Sequence, residues 1–502
     1  MMAVTDSIGT PSVDWLAIAP EISLAGAALV IVMIRAVMRR RPGSTMAGFI
    51  VAAAGILAAA GTLAWQWVHV RDDGPITTMA GMVRVDGFGV FLGIIVVIAS
   101  AMALLVSVAY LRREQLEAPE YLALVVFSSL GMLVMTSANN LIVIFLALEI
   151  LSIPLYVLAA FDRRRLSSQE AGIKYFVLGA FSSAIFLYGI ALVYGATGTT
   201  SLTGISDFLS ANTLFDNGTL LAGMALLLVG LGFKVAAVPF HTWVPDVYQG
   251  APTPVTAFMA SATKAAGFAA LLRVFGVAFP LYRTDWRPVV WVIAVLSLLV
   301  GSVGAALQTD VKRLLAYSSI AHAGYVLIGL QTATARGREA ALFYLFVYTF
   351  MVVGSFAVVT VLSMKGDDDH SIDGYRGLAF RRPVLGSLFV FFLLAQAGIP
   401  LTGGFIAKLE VFSAASDVGE YALVAIGAVA TVIAAYAYLR VALAVARPED
   451  DEAAPAERPE SMGWRVDFWT GLVLTATAVM TLVLGVVPST FVDWAHHAGS
   501  ML

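Results

Sequence analysis

The stretch GLGFKVAAVPFHTWVPDVYQGAPTPV, residues 230–255, indicates how this sequence folds. It lies inside an otherwise apolar span, yet it contains Lys234, His241 and four prolines. Proline removes a backbone donor and clashes with the preceding turn, so a helix that enters at Leu220 is expected to break near Pro239. Broken backbone at membrane depth is tolerated only inside protein or along a wet cavity. An ionisable Lys234 beside such a break is therefore a candidate functional residue.

A second stretch, AQAGIPLTGGFIAKLEVF at residues 395–412, has the same features. Pro400 and the pair Gly403 and Gly404 interrupt a long apolar run, and Lys408 follows the interruption. Two interrupted apolar segments at comparable places in two halves of a chain indicate an inverted-repeat transporter fold, with the coupling site at the breaks.

The composition is that of a polytopic membrane protein. The chain has 502 residues, of which 60% are hydrophobic and 13% charged, and its mean hydropathy is +0.87. These values are far more apolar than those of a soluble domain of this length. Because a spanning helix needs roughly 20 apolar residues, the sequence predicts an all-α fold of about fourteen transmembrane helices. No segment of domain size remains for a soluble module.

Several classes of chemistry are not expected in this chain. It contains no cysteine, which excludes disulfides and removes the thiolate ligands that iron–sulfur clusters need. Neither a G-x-G-x-x-G turn nor a P-loop occurs in the right context. We therefore predict no metal and no bound cofactor in this chain, and no nucleic-acid partner. Any redox chemistry would have to lie in other chains.

Basic residues are concentrated in alternating loops, including 39–41, 112–113, 163–165, 312–313 and 381–382. By the positive-inside rule these loops face the cytoplasm, and both termini lie on the outer side. The acidic loop KGDDDHSIDGYRG belongs to the same side, and we expect it to be a solvated connection.

The distribution of lysine is unusual. The chain has only six lysines among thirty basic residues, and four of them fall in apolar spans: Lys174, Lys234, Lys264 and Lys408. Arginine cannot give up its proton in a protein, whereas a buried lysine can alternate between charged and neutral forms. Lysine, histidine and glutamate side chains at membrane depth, each on its own helix, are typical of a proton relay.

Alternative interpretations remain open for several of these residues. Glu149 lies near the middle of an apolar helix, where a lone carboxylate costs roughly 2.5–3.5 kcal/mol, and a structural ion pair is the alternative to a relay role. Lys174 lies about one turn inside its span, and snorkelling to the interface explains it equally well. His241 and His322 can pass a proton at physiological pH. The alternatives are that His241 satisfies carbonyls freed by the break, and that His322 is a structural core residue.

Four stretches carry a family resemblance: FLALEILSIPLYVL (145–158), GFKVAAVPFHTWVPDVYQGAPTPVTAF (232–258), QTDVKRLLAYSSIAHAGY (308–325) and GIPLTGGFIAKLEVF (398–412). Together they resemble the antiporter-like, proton-translocating membrane subunits of bacterial respiratory complex I, and most closely its subunit N branch. The likeness covers nearly the whole chain.

The resemblance implies a division of the chain. It predicts three scaffold spans at 1–118, a first five-helix repeat at 119–279 with a broken helix at 219–250, a second, inverted repeat at 280–446 with a broken helix at 383–413, and a linker with a final helix at 447–502.

The resemblance also implies roles. Glu149 would pair with a lysine, Lys234 would be the central relay lysine, Lys264 would link two half-channels and Lys408 would lead towards the outside. Three further residues match family positions that are proposed to tune or extend the relay: Lys174, His241 and His322.

The implied activity is proton translocation across the bacterial cytoplasmic membrane, as a membrane subunit of NADH:quinone oxidoreductase. FMN, iron–sulfur clusters and quinone would lie in other subunits, and the partners would include an M-type antiporter-like subunit, small membrane subunits and the lipid bilayer. A subunit of a cation/proton antiporter complex is the alternative within the family. A small-solute secondary transporter and a structural membrane scaffold are the alternatives outside it.

Overall fold

A computed structural model describes residues 12–38, 43–212, 217–363, 366–367, 370–448 and 466–501. These residues are nearly all helical. The α-helices are α1 (Ala19–Val37), α2 (Ser44–Asp73), α3 (Gly87–Arg113), α4 (Pro119–Ser137), α5 (Leu141–Ala159), α6 (Leu166–Thr197), α7 (Leu202–Ala211), α8 (Gly218–Val235), α9 (Trp243–Gly250), α10 (Thr253–Phe258), α11 (Lys264–Arg273), α12 (Arg283–Leu307), α13 (Val311–Gln331), α14 (Ala335–Leu362), α15 (Leu378–Arg381), α16 (Pro383–Ala397), α17 (Gly403–Asp417), α18 (Tyr421–Ala446), α19 (Phe468–Val486) and α20 (Ser489–Ser500).

The fold confirms the predicted class, an all-α polytopic membrane protein. Among the described residues, thirteen helices are long and apolar enough to cross a membrane, counting 253–278 as one helix, and α16 is a shorter apolar helix. A short antiparallel hairpin, β1 (Ile76–Thr78) with β2 (Val83–Val85), follows α2 and was not expected from the sequence. The inverted relation between two repeats and the domain boundaries stay predictions.

Helix is interrupted at both stretches singled out in the sequence. Residues 236–242 separate α8 from α9, and Ala236 has a φ of 65° there. Residues 398–402 separate α16 from α17, and Gly398 has a φ of 89°. Glycine is favoured at position 398 because this φ lies in the left-handed region and an added Cβ would lie only 3.1 Å from Cδ of Lys408. Both interruptions therefore bring irregular backbone close to a lysine.

The segment from α10 to α11 lies at the centre of the bundle and is buried along most of its length. A π-helical turn, Met259–Thr263, joins α10 to α11, so that Lys264 begins α11 directly after the widened turn. Such turns occur frequently at functional sites. The neighbouring helices α13 and α14 are also mostly buried, whereas α1, α2 and α19 expose most of their surface. The most protected positions of the fold thus surround Lys264.

A buried ion pair ties this central segment to α3. Arg273, at the end of α11, donates from Nη1 to Asp86 Oδ2 at 2.7 Å and from Nη2 to Asp86 Oδ1 at 2.8 Å. Both side chains are almost completely buried. Asp86 also caps α3, since its Oδ1 accepts from the backbone N–H of Gly89 at 2.8 Å. The sequence analysis did not single out either member of this pair.

The expectation of a solvated acidic loop is wrong for Asp367 and His370, which are buried, whereas Asp373 and Arg376 of the same loop are exposed. Asp367 is buried, and its carboxylate accepts from Thr253 Oγ1 at 2.8 Å and contacts Lys312, Arg165 and His370. Burial alone would raise the pKa of Asp367, but Lys312, His370 and Arg165 outweigh it and hold this pKa well below its usual range. Because its partners come from different segments, Asp367 connects the loop to the ends of several helices.

Candidate functional site

Lys234 lies in the last turn of α8, directly before the first interruption, and is buried. Its Nζ donates to Ser152 Oγ on α5 at 2.8 Å and to Tyr175 OH on α6 at 3.2 Å. The same Nζ lies 5.5 Å from the centre of the Tyr175 ring. All of these partners are uncharged, so the ammonium group of Lys234 has hydrogen bonds but no carboxylate in direct contact.

Glu149 does not form the lysine pair that the resemblance implies. Within the described part of the chain it makes no ion pair, and its buried Oε1 has no hydrogen-bond partner. Ser152 follows Glu149 by three residues on α5, so the two side chains lie on the same face of that helix. The Lys234 amine instead donates to Ser152 and Tyr175, and Glu149 lies nearby without a direct contact to that amine.

Lys264 is buried and bonds across the centre of the bundle to α13. Its Nζ donates to the carbonyl oxygen of Ser319, and to Ser319 Oγ at 2.5 Å. It also lies 5.6 Å from the centre of the Tyr348 ring on α14. The side chain of Lys234 packs against α11 at Gly267, because a Cβ added to Gly267 would lie 3.5 Å from Cγ of Lys234. Gly267 is three residues from Lys264, so the two lysines flank one turn of α11.

One face of α13 continues the polar contacts beyond Lys264. Ser319, His322 and Tyr325 follow each other at intervals of three residues and therefore lie on the same side of the helix. His322 Nδ1 lies 2.7 Å from Tyr344 OH, and its Nε2 lies 3.4 Å from Tyr438 OH. The ring of Tyr325 forms a cation–π contact with the next buried lysine, Lys408. This face thus connects the surroundings of Lys264 with the second interruption.

Lys408 is buried in α17, directly after that interruption. Its Nζ donates to the carbonyl oxygens of Gln396 at 3.0 Å and Ala397 at 2.8 Å, and lies 5.0 Å from the centre of the Tyr325 ring. Gln396 and Ala397 are the last residues of α16, where carbonyl groups lack helical partners and carry a partial negative charge. Lys408 therefore satisfies the carbonyls that the break in the helix leaves free.

Lys174 differs from these three lysines because its side chain is 39% exposed. Its Nζ lies 2.6 Å from Asp246 Oδ2 and 2.7 Å from Glu170 Oε1, and Asp246 Oδ1 accepts from Arg313 Nη1 at 2.7 Å. These residues line a cavity of about 410 Å³, together with Gln249 and others. Lys174 is thus part of a charged cluster at the cavity and lies outside the line of buried lysines.

The cavity and the Lys234 site share the helix α9. Asp246 lies in the first turn of α9, and Trp243 at the start of the same helix stacks on Tyr175 with ring centres 4.5 Å apart. Tyr175 in turn accepts a hydrogen bond from Lys234. A shift of α9 would therefore disturb both the charged cluster and the contacts of Lys234.

His241 lies in the first interruption and is only partly buried. Its Nδ1 is buried and has no hydrogen-bond partner among the described residues. The structure does not join His241 to the contacts that link Lys234, Lys264, His322 and Lys408.

Sequence reasoning missed the neutral side chains that contact the lysines and His322. They are Ser152, Tyr175, Ser319, Tyr344 and Tyr438. Serine and tyrosine occur throughout apolar spans, so their type alone does not mark them. A spacing of three residues from a candidate marks Ser152, after Glu149, and Ser319, before His322, whereas the three tyrosines carry no such signal.

Comparison with known proteins identifies the family of membrane proteins to which this chain belongs. Residues 138–434 match the family model described as NADH:quinone oxidoreductase/Mrp antiporter, TM. A protein named NADH-quinone oxidoreductase subunit N from Rhodococcus opacus (strain B4) is 49% identical over 76% of this chain and 69% of its own length. One of the same name from Salinispora arenicola (strain CNS-205) is 43% identical over 98% of this chain and 99% of its own.

Solved structures agree with this comparison. A chain of respiratory complex I from Thermus thermophilus with bound aureothin is 34% identical, with a TM-score of 0.78 over 94% of this chain and 98% of that chain. A chain of the Mrp complex from Dietzia sp. DQ12-45-1b has a TM-score of 0.83 over 97% of each chain, and at 21% identity it shows the fold alone. The chain therefore belongs to the family of NADH:quinone oxidoreductase/Mrp antiporter membrane proteins. Within this family, its similar full-length relatives are named subunit N.

Proposed function

We propose that this chain translocates protons across the bacterial cytoplasmic membrane as subunit N of NADH:quinone oxidoreductase. The observation that carries the proposal is the line of buried amines, Lys234, Lys264 and Lys408, with His322 between the last two. Family membership supports the assignment to a respiratory assembly. Quinone reduction in neighbouring subunits, which hold FMN and iron–sulfur clusters, supplies the energy.

Lys234, Lys264 and Lys408 each have a neighbour that accepts hydrogen bonds and bears no full charge. An amine in such surroundings can lose its proton without leaving a carboxylate unpaired beside it, and it can regain that proton when the nearby field changes. Protons enter at the cavity beside Lys174, reach Lys234, and pass by way of Lys264 and His322 to Lys408. Glu149, one turn from Ser152 on α5, favours the charged form of Lys234 without touching it. His241 tunes this first step from the interruption.

The alternatives make different demands on the assembly. Subunit N requires other membrane subunits, among them an M-type antiporter-like subunit, and a peripheral arm that oxidises NADH. A cation/proton antiporter subunit requires only membrane partners. We expect an affinity-tagged form of this chain to co-purify with flavin- and iron–sulfur-containing subunits and with NADH:quinone reductase activity. Recovery with small membrane subunits alone, without NADH oxidation, would support the antiporter assignment.

The first prediction concerns Glu149. We expect Glu149→Gln to lower the proton-translocation rate of the assembled complex about tenfold or more, since positioned proton-transfer groups contribute roughly 10²–10⁴-fold to their step. Glu149→Asp, which keeps the charge, should be milder. The measurement is proton uptake into sealed vesicles alongside subunit content, with Glu117→Gln at an exposed ion pair as the control. Loss of assembly without a separate pumping defect would instead assign Glu149 a structural role.

The second prediction concerns orientation, and it uses the absence of native cysteine. Single cysteines in place of Arg164 and Gln249 should react with a membrane-impermeant thiol reagent added on the cytoplasmic side. A cysteine in place of Asn212 should react only from the outer side, as the arginine distribution requires. Ser261→Cys, at a buried position, serves as the unreactive control. The reverse pattern would overturn the direction of transfer and the outer location of both termini.

A further inference from the structure

A groove of about 710 Å³ lies on the outside of the helix bundle and is lined by residues of α1, α4, α5, α6 and the connections next to them. Its long walls are apolar and include Leu124, Val157, Ile173 and Phe176. One end is polar, and the residues there are Arg35, Glu120, Arg163 and Gln169. A groove with apolar walls and a charged end has the two chemical surfaces of a phospholipid.

The polar end carries more positive than negative charge. Arg35 pairs with Glu120 at 2.5 Å, which leaves one guanidinium uncompensated at the groove. Arg163 is that residue, because it makes no side-chain ion pair within the part of the chain that the structure describes. Its carbonyl oxygen accepts from Gln169 Nε2 at 2.5 Å, which fixes the backbone beside α6 while the exposed guanidinium stays available. A guanidinium matches the geometry of a phosphate group in a bidentate manner.

The start of α6 adds to this positive end. α6 begins at Leu166, the residue before it provides no side-chain cap, and its first turn holds no acidic residue. Uncapped backbone N–H groups and the helix dipole both favour a nearby anion. These features and Arg163 occur at the same end of the groove, which lies on the cytoplasmic side in the orientation predicted from the arginines.

We propose that this groove binds one anionic phospholipid, with its phosphate at Arg163 and its acyl chains along the exposed apolar side chains of α5 and α6. Basic pockets between spanning helices on the cytoplasmic side are suited to anionic headgroups. The phosphocholine headgroup is zwitterionic, and its quaternary ammonium group would offset the phosphate charge that Arg163 recognises. The proposal concerns a surface away from the buried lysines, so it does not depend on the proposed relay.

The test uses the assembled complex in vesicles that contain a photoreactive phosphatidylglycerol, followed by mapping of cross-linked peptides. We expect adducts on the α5 and α6 segments that line the groove. Arg163→Gln should reduce them about fivefold, the loss expected when one arginine no longer attracts an anionic headgroup. Arg447→Gln, at an exposed arginine away from the groove, is the matched control and should leave the adducts unchanged.

A second pair of variants tests the acyl-chain part of the groove. Ile173→Trp should reduce the adducts by filling the space along α6, whereas Phe181→Trp, at an exposed position of the same helix outside the groove, should not. Equal labelling by a photoreactive phosphatidylcholine would overturn the proposed charge recognition. Cross-links from the groove to a helix of a neighbouring subunit, with no lipid adducts, would overturn the proposal altogether.

Discussion

Replacing Lys234 by arginine is expected to abolish most of the proton translocation that passes through this chain. A relay requires a group that gives up its proton, and arginine keeps its proton even when buried. We expect both Lys234→Arg and Lys234→Ala to lower the translocation rate at least about tenfold in complexes that retain their peripheral subunits. The measurement is proton uptake into sealed vesicles, normalised to the amount of assembled complex.

The arginine variant separates a relay from a scaffold. A structural role at Lys234 asks only for a positive donor to Ser152 and Tyr175, and arginine supplies one. Lys174→Arg is the matched control, because that lysine is half-exposed and paired with carboxylates, where arginine serves equally well. Near-normal pumping by Lys234→Arg would contradict the claim that this amine carries a proton. Lys408→Arg should have the smaller effect if Lys408 mainly supplies charge near the exit.

Breaking the Asp86–Arg273 pair is expected to produce the largest loss of stability. In Asp86→Asn the buried Arg273 keeps its charge but loses the carboxylate that accepts two of its hydrogen bonds. Removal of one partner from a buried pair costs about 3–5 kcal/mol. Asparagine keeps a side-chain oxygen for the backbone N–H of Gly89, so the cap of α3 is retained. Thermal unfolding of the purified complex and the yield of assembled subunit measure this effect.

A double variant tests whether the unpaired charge of Arg273 causes this loss of stability. Asp86→Asn combined with Arg273→Met removes both charges while keeping an oxygen for the cap of α3, and it should recover most of the stability, since no buried charge is then left unpaired. Arg71→Gln disrupts an exposed pair with Asp72 and should leave stability unchanged. If Asp86→Asn unfolds at the same temperature as the unchanged protein, the pair does not contribute to the stability of the bundle.

The class of fold could be predicted from local properties of the sequence. Apolar runs of spanning length identified the helices, and Lys234 and Lys408 could be located beside the interruptions because proline and glycine affect the backbone where they occur. The same local argument failed for Asp367. A run of acidic residues in a loop indicates exposure, but here Lys312 and Arg165, from other parts of the chain, join His370 of the same loop and stabilise a buried carboxylate.

The sequence by itself determined a membrane protein with interrupted helices and lysines at membrane depth, because hydropathy, helix breaking and side-chain chemistry are properties of neighbouring residues. Only the tertiary structure decided which groups meet. Lys234 contacts Ser152, which is 82 residues away in the sequence. Lys264 contacts Ser319 across 55 residues, and Arg273 contacts Asp86 across 187 residues. No periodicity along a helix specifies such contacts, because they depend on how whole helices pack and rotate against each other. The exposure of Lys174 has the same origin, and so does the lack of an ion-pair partner for Glu149 among the residues that the structure describes.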